Sequence, residues 1–182
     1  TKKDHDKEIN KLGADIFSKE FTVKYLKNIM KSKKVILASF IMNQQLICGI
    51  GNYIKNDAMF LAKLKVSVKT SELSSSQIKD LYKYILFISY SKLMTHLTDS
   101  KITKYLPLNK ETNKPENLEI PYEFKAYNQT ETKDGDKIIK VTIGGRDSYS
   151  TKEYIPETTK VKKPRKSSNE KGYQNKKITD VL

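Results

Sequence analysis

The chain has 182 residues, room for one core-bearing domain with a small appended element but not for two full-sized domains. Its 35 Lys and Arg against 21 Asp and Glu leave a formal charge of +14 and a pI near 9.6, which favours a polyanionic partner, nucleic acid ahead of an anionic membrane surface. The single cysteine, Cys48, excludes an intrachain disulfide and a cysteine-built zinc site; no apolar run approaches the roughly 20 residues that cross a bilayer, and Thr1–Asp6 has no apolar signal core.

These features suggest a reducing, intracellular setting. Almost all the positive charge is lysine, since Arg146 and Arg165 are the only arginines. Coding from an AT-rich genome also enriches Lys, Asn, Ile and Tyr, so the charge by itself accounts only for non-specific attraction.

Residues 1–11 are polar and of mixed charge, and read as a linker. His5 among Asp4, Asp6 and Glu8 is a solvated linker histidine on this reading, with His96 the only other histidine. From Asp15 to Leu97 the pattern is helical and free of proline. Ser18 is a candidate cap for a first helix presenting Phe21, Tyr25, Leu26 and Ile29. Val35–Gln45 predicts a second, with Ile36, Phe40 and Ile41 on one side. Gly49 and Gly51 break the run before a third helix over about 52–63, which presents Tyr53, Ile54, Ala58, Phe60 and Leu61. A fourth runs from near Ser74 to about Leu97, with Ile78, Leu81, Tyr82, Ile85 and Ile88 at mostly three- and four-residue spacing. Pro107, Pro115 and Pro121 punctuate a polar loop over 100–121. β-formers resume over 122–129 and 137–143, with Lys133-Asp134-Gly135-Asp136 as a turn between them. Beyond Pro156 the tail, residues 157–182, is rich in lysine and reads as flexible. The expected fold class is mainly α with a small β element.

Gln44–Phe60 carries the most information. Gly49 fits the left-handed conformation that ends a helix, Gly51 allows close backbone approach, and Asn52 is a strong N-cap. A helix start with free N–H groups, and with Lys55 one turn in, suits a phosphate. Taken alone, Gly-Ile-Gly-Asn also fits a plain glycine-containing helix junction. Cys48 beside it reads as a small buried apolar residue. Further on, Gly144-Gly145-Arg146 removes side-chain bulk at a turn, so that backbone and guanidinium can approach a phosphate together; a surface arginine on a hairpin fits the spacing equally.

Leu46-Ile47-Cys48-Gly49-Ile50-Gly51-Asn52-Tyr53-Ile54-Lys55-Asn56-Asp57-Ala58-Met59-Phe60 closely resembles the helix-two-turn-helix signature of the formamidopyrimidine-DNA glycosylase and endonuclease VIII family. Leu12-Gly13-Ala14-Asp15 resembles the Leu-Gly-Pro-Asp that opens this domain, with Ala14 for the proline. Glu72-Leu73-Ser74 sits where the family has its Leu-Ser and long helix, and Ser67 stands for a family proline. Lys140–Tyr149 resembles the family's β-hairpin finger, whose arginine reaches a phosphate beside the lesion. Four zinc-binding cysteines usually pin that finger; here their places, near Tyr127–Asp134, Thr151 and Tyr154, hold none, which implies a zincless finger held by strand pairing and packing. Phe124, Tyr127, Tyr149 and Tyr154 are candidates for that packing.

The resemblance implies a linker over 1–11, a helix-two-turn-helix DNA-binding domain over 12–99, a loop over 100–121 and a zincless finger over 122–156. It also implies removal of oxidised bases and strand cleavage at abasic sites by the intact enzyme, through an N-terminal Pro-Glu on a β-sandwich domain. Thr1-Lys2-Lys3 does not match Pro-Glu, so the chain is expected to be the DNA-gripping half of a longer enzyme and inactive by itself. The implied DNA contacts are Gly49, Gly51, Asn52, Lys55, Gly144, Gly145 and Arg146. The expected partner is double-stranded DNA containing damaged bases or abasic sites, bound by a monomer with no cofactor, no metal and no membrane, in the nucleus or in a DNA virus. Two other readings stay open: an RNA-binding module built on a helix-two-turn-helix, and a peripheral membrane protein using the basic tail. The hairpin following the helices argues against the first. Against the second, no helix pairs a clean lysine face with large exposed apolar residues.

Overall fold

Leu26 and Met30, four residues apart, are the buried positions of the first helix, α1, Val23–Lys31. It begins one turn later than Ser18 predicts, because Thr22 supplies the cap: its Oγ1 accepts from the Tyr25 N–H at 3.0 Å. The computed structural model describes residues 11–31, 33–99 and 117–157. The linker expected over 1–11 is therefore described only at Lys11. Residues 100–116 of the expected loop and 158–182 of the expected basic tail lie outside the described residues.

The second helix is much shorter than the apolar pattern of 35–45 suggests. Only Leu37–Phe40, α2, is helical. Ile36 is extended and bridges to Lys69, and the Leu37 N–H donates to the Val68 carbonyl at 2.8 Å, so tertiary pairing fixes where the helix begins. Asn43 then turns the chain, its Oδ1 accepting from the Gln45 N–H at 3.0 Å. The chain next forms a two-residue parallel pair, in which β1, Ala14–Asp15, lies alongside β2, Ile47–Cys48. Tyr25 fastens that pair to α1: its hydroxyl donates to the Leu46 carbonyl at 2.7 Å and accepts from the Ala14 N–H at 3.3 Å.

The third helix, α3, spans Asn52–Leu61, and the long α4 spans Ser75–Asp99. Ser74 and Gln77 form a reciprocal cap on α4, each side chain accepting the other's backbone N–H at 3.2 and 2.9 Å. Leu81, Ile85 and Ile88 of α4 are fully buried with Ile54 and Ala58 of α3 and Leu26 and Leu37 from α1 and α2. These side chains make the shared core expected from the spacing.

The β element is an antiparallel hairpin of β3, Ile138–Ile143, and β4, Arg146–Thr151, in full six-residue register from Ile138↔Thr151 to Ile143↔Arg146. Residues 122–129 are not the strand their composition suggests. They wrap as a loop around a carboxylate of α3, described below, which takes the backbone donors of Lys125, Ala126 and Tyr127. The Asp134-Gly135 turn is present, with Gly135 at φ +88 and the Thr132 N–H donating to the Asp136 carbonyl at 2.8 Å. Among the described residues no helix is long and apolar enough to cross a membrane.

Candidate nucleic-acid interface

The start of α3 is shaped by its approach. Gly49 takes φ +97, a conformation that glycine adopts without steric cost; it follows β2 here and does not end a helix. Gln44 braces the turn, donating from Nε2 to the Ile50 carbonyl at 3.0 Å and accepting the Gly49 N–H on Oε1 at 3.0 Å. Gly51, extended at φ −95 and ψ 174, occupies the cap position, and no side chain caps the helix. This corrects the assignment of Asn52 as the cap. Asn52 is already helical, so its amide leaves from inside the first turn and does not fold back onto the N–H groups. Its Oδ1 has no hydrogen-bond partner. A first turn whose N–H groups lack a side-chain cap presents the positive end of the helix dipole.

The second half of the site is the hairpin tip. Gly144 and Gly145, at φ +58 and +76, form the two-residue loop between β3 and β4, and both angles are positive as the tight hairpin turn requires. The two glycines serve different sides. A Cβ on Gly144 would overlap the Ser39 hydroxyl of α2, so this residue lets the tip lean on the helical domain, whereas a Cβ on Gly145 would meet nothing within 4 Å. Arg146 follows and is exposed.

Three consecutive side chains of α3 hold the finger in place. Lys55 is 1% exposed, and its ammonium donates to the Asp147 carbonyl at 2.8 Å and to Ser148 Oγ at 3.1 Å. This corrects its assignment as an outward-facing phosphate contact: the side chain runs inward under the hairpin. Burial pulls the ammonium down to about 8, with Asp147 opposing the shift and Arg146 adding to it. Asn56 donates from Nδ2 to the Asp147 carbonyl at 3.2 Å and accepts the Tyr149 N–H on Oδ1 at 3.0 Å. Asp57, fully buried, accepts four bonds: from the Tyr122 hydroxyl at 2.7 Å and from the backbone N–H groups of Lys125, Ala126 and Tyr127 at 2.8, 3.0 and 2.9 Å. Burial first, then the Asp57 charge, pushes the Tyr122 hydroxyl far above its ordinary range, which keeps it a donor.

Aromatic rings continue the attachment. Phe87, Tyr122, Phe124, Tyr127 and Tyr149 meet in sequence with centroids 5.3–6.1 Å apart, from α4 to β4. Phe124, Tyr127 and Tyr149 thus pack as the sequence suggested. Tyr154 instead joins through its backbone, its carbonyl accepting from the Val66 N–H at 3.0 Å. The donor set does not fit a zinc ion: Thr151 and Tyr154 stand where ligands would be needed, and the described residues contain no cluster of three His, Cys, Asp or Glu. Cys48 is half-buried, not buried as the sequence suggests; burial and the nearby Asp15 raise its thiol.

The sequence profile described as the formamidopyrimidine-DNA glycosylase H2TH domain matches residues 12–96. Those residues are an H2TH domain of the formamidopyrimidine-DNA glycosylase family. Formamidopyrimidine-DNA glycosylases of Syntrophomonas wolfei and Mycoplasma mobile are 27% identical over 143 residues and 30% identical over 125 residues. The alignments cover 77% and 68% of this chain and 51% and 44% of those enzymes, so the chain spans about half of their length. Among solved structures, Lactococcus lactis Fpg in complex with abasic-site DNA superimposes with a TM-score of 0.64 at 17% identity, over 86% of this chain and 56% of that one. The same enzyme bound to DNA containing Fapy-dG gives 0.64 at 19% identity, with the same coverage. These likenesses extend past the H2TH domain and include the hairpin in the shared fold.

The structure brings the two ends of the site together. Gly49, Gly51 and Asn52 lead into α3, and Lys55 of that helix donates to the carbonyl of Asp147, the residue after Arg146, at 2.8 Å. Three residues that organise this arrangement were not singled out from the sequence: Gln44, Asn56 and Asp57. Asp57 did leave a trace there, since it lies between Ile54 and Ala58 on the buried side of the helix, where an unpaired carboxylate would be costly. A cleft of about 810 Å³ beyond the far end of α3, lined by Phe60, Lys63, Glu131, Lys133, Glu153 and Tyr154 among others, contains none of the residues of this site.

Proposed function

We propose that this chain grips the phosphate backbone of double-stranded DNA as the DNA-binding part of a base-excision-repair glycosylase and abasic-site lyase acting on oxidised bases. The observation that carries the reading is the juxtaposition of the α3 start, which no side chain caps, with the exposed Arg146 on a hairpin fastened to that same helix. The helix end offers N–H donors and a partial positive charge, and Arg146 a bidentate fork. In this reading Gly49, Gly51, Asn52, Gly145 and Arg146 face the DNA, while Gly144 and Lys55 serve it from behind. Residues 12–99 form the gripping domain and 122–156 a finger without zinc. Base removal and strand cleavage then fall to a catalytic domain outside these 182 residues, and the chain acts at DNA inside the cell, as a monomer.

Binding of a labelled duplex containing an abasic-site analogue, followed by fluorescence anisotropy, tests this. With about 4–6 phosphates neutralised, the log–log salt slope is expected at about −4 to −5. Arg146→Ala should cost about 1.5–3 kcal/mol, the range for a hydrogen bond to a charged group, without lowering the melting temperature. A flat salt response, or an Arg146→Ala variant that binds as wild type, refutes the backbone grip. Tighter binding of an RNA duplex of equal length would move the assignment to RNA.

A further inference from the structure

Lys55 carries an ammonium into a position that is 1% exposed, yet its hydrogen bonds go to a backbone carbonyl and a hydroxyl. The nearby carboxylate, Asp147, forms an ion pair with Lys140 at 2.9 Å. Burying a cation on neutral acceptors is costly compared with an apolar side chain of similar length, which would fill the same space. What the ammonium adds is a directed attachment. Both acceptors belong to the two residues after Arg146, and Asn56 takes the same Asp147 carbonyl together with the Tyr149 N–H. That pair of bonds closes the outer edge of β4 as a neighbouring strand would, for a hairpin that is marginal in water by itself.

We propose that Lys55, seconded by Asn56, is a positioning residue for the DNA grip: it fixes the strand that begins at Arg146 against the first turn of α3, so that the guanidinium and the helix start meet one continuous stretch of phosphates. This rests on the phosphate-gripping reading above and adds to it the element that sets the spacing between its two halves. Lys55 itself touches no phosphate.

The test is a double-mutant cycle on duplex binding with Lys55→Met, Arg146→Ala and the double variant, each checked by thermal melting. If Lys55 acts through Arg146, Lys55→Met alone loses most of the affinity that Arg146→Ala loses, and the double variant binds within about twofold of Arg146→Ala. A merely structural lysine would give independent losses that multiply, or a lower melting temperature with unchanged affinity of the folded protein, and either result overturns the proposal. Should Lys55→Met not fold, two arms leave Lys55 in place. Ser148→Ala, which removes one of its two acceptors, should weaken binding in the wild-type background but not with Arg146→Ala. The wild-type affinity should also step down as pH passes about 8, where the ammonium begins to lose its proton; Asp147 and Arg146 on β4 are the charged groups acting on it, and Arg146→Ala should abolish the step. Absence of both effects overturns the proposal. If Arg146→Ala itself binds as wild type, the phosphate-gripping reading falls; if it weakens binding and Lys55→Met does not, only the positioning role falls.

Discussion

Replacing Asp57 by alanine should detach the loop that leads into the finger. Its carboxylate accepts four hydrogen bonds, and the Tyr122 hydroxyl and the Ala126 N–H lie in fully buried surroundings. A buried donor left without a partner costs about 1–3 kcal/mol, so these two alone amount to about 2–6 kcal/mol. The half-buried N–H groups of Lys125 and Tyr127 add less, because water can reach them. A domain of this size has about 5–15 kcal/mol in hand, and much of the loss falls on the segment that joins helices to hairpin. Asp57→Asn is milder: its remaining oxygen still accepts from Ala126 and Tyr127, and the Tyr122 hydroxyl can turn to accept from the new amide, which leaves the Lys125 N–H without a partner. Amide hydrogen exchange over residues 122–127, read beside the thermal melt, measures the effect. Slowed exchange at Lys125, Ala126 and Tyr127 in wild type should vanish in Asp57→Ala and persist in part in Asp57→Asn. If Asp57→Ala keeps the protection of all three, the carboxylate is not what organises this loop and the reasoning fails.

Two further outcomes are expected. Gly144→Ala suffers both the left-handed φ and the overlap with Ser39, whereas Gly145→Ala suffers only the φ, a cost of about 1 kcal/mol; urea melts should rank Gly144→Ala as the worse, and Ser39→Gly should recover part of that difference, with equal losses at the two glycines contradicting the contact. The buried Lys55 also makes stability depend on pH. Its folded value of about 8 lies below the ordinary lysine value, so between pH 8 and about 10.5 the unfolded state binds the extra proton and stability rises with pH, by up to about 3 kcal/mol. The difference between wild type and Lys55→Met in urea melts from pH 7 to 10 isolates this contribution, and a difference that does not change with pH shows that the ammonium is not penalised by burial.

Local chemistry made much of the helical domain readable. Ser74 marks the start of the long helix, Gly49 marks a left-handed turn, and the spacing of Leu81, Ile85 and Ile88 marks the core face of that helix. What could not be read depends on partners far away in the chain. The apolar run at 35–45 looks like a helix until Lys69 pairs with Ile36. Residues 122–129 have strand composition, but Asp57, about 70 positions earlier, takes the N–H groups of Lys125, Ala126 and Tyr127. The sequence places Lys55 at a phosphate, one turn into a glycine-led helix start, and the hairpin backbone 92 residues later draws it inward instead. The Gly-Ile-Gly-Asn motif marks where α3 starts, but not which way its lysine points.

The short third helix works at both ends of its first turn. Asn52 opens it and Lys55 already grasps the finger, so less than one helical turn, about 4.5 Å of rise, separates the two. A single residue inserted between them would lift Lys55 by about 1.5 Å and swing it by about 100°, away from Asp147. This stretch is therefore a ruler, and insertions or deletions within it should be far harder to tolerate than substitutions at the same positions.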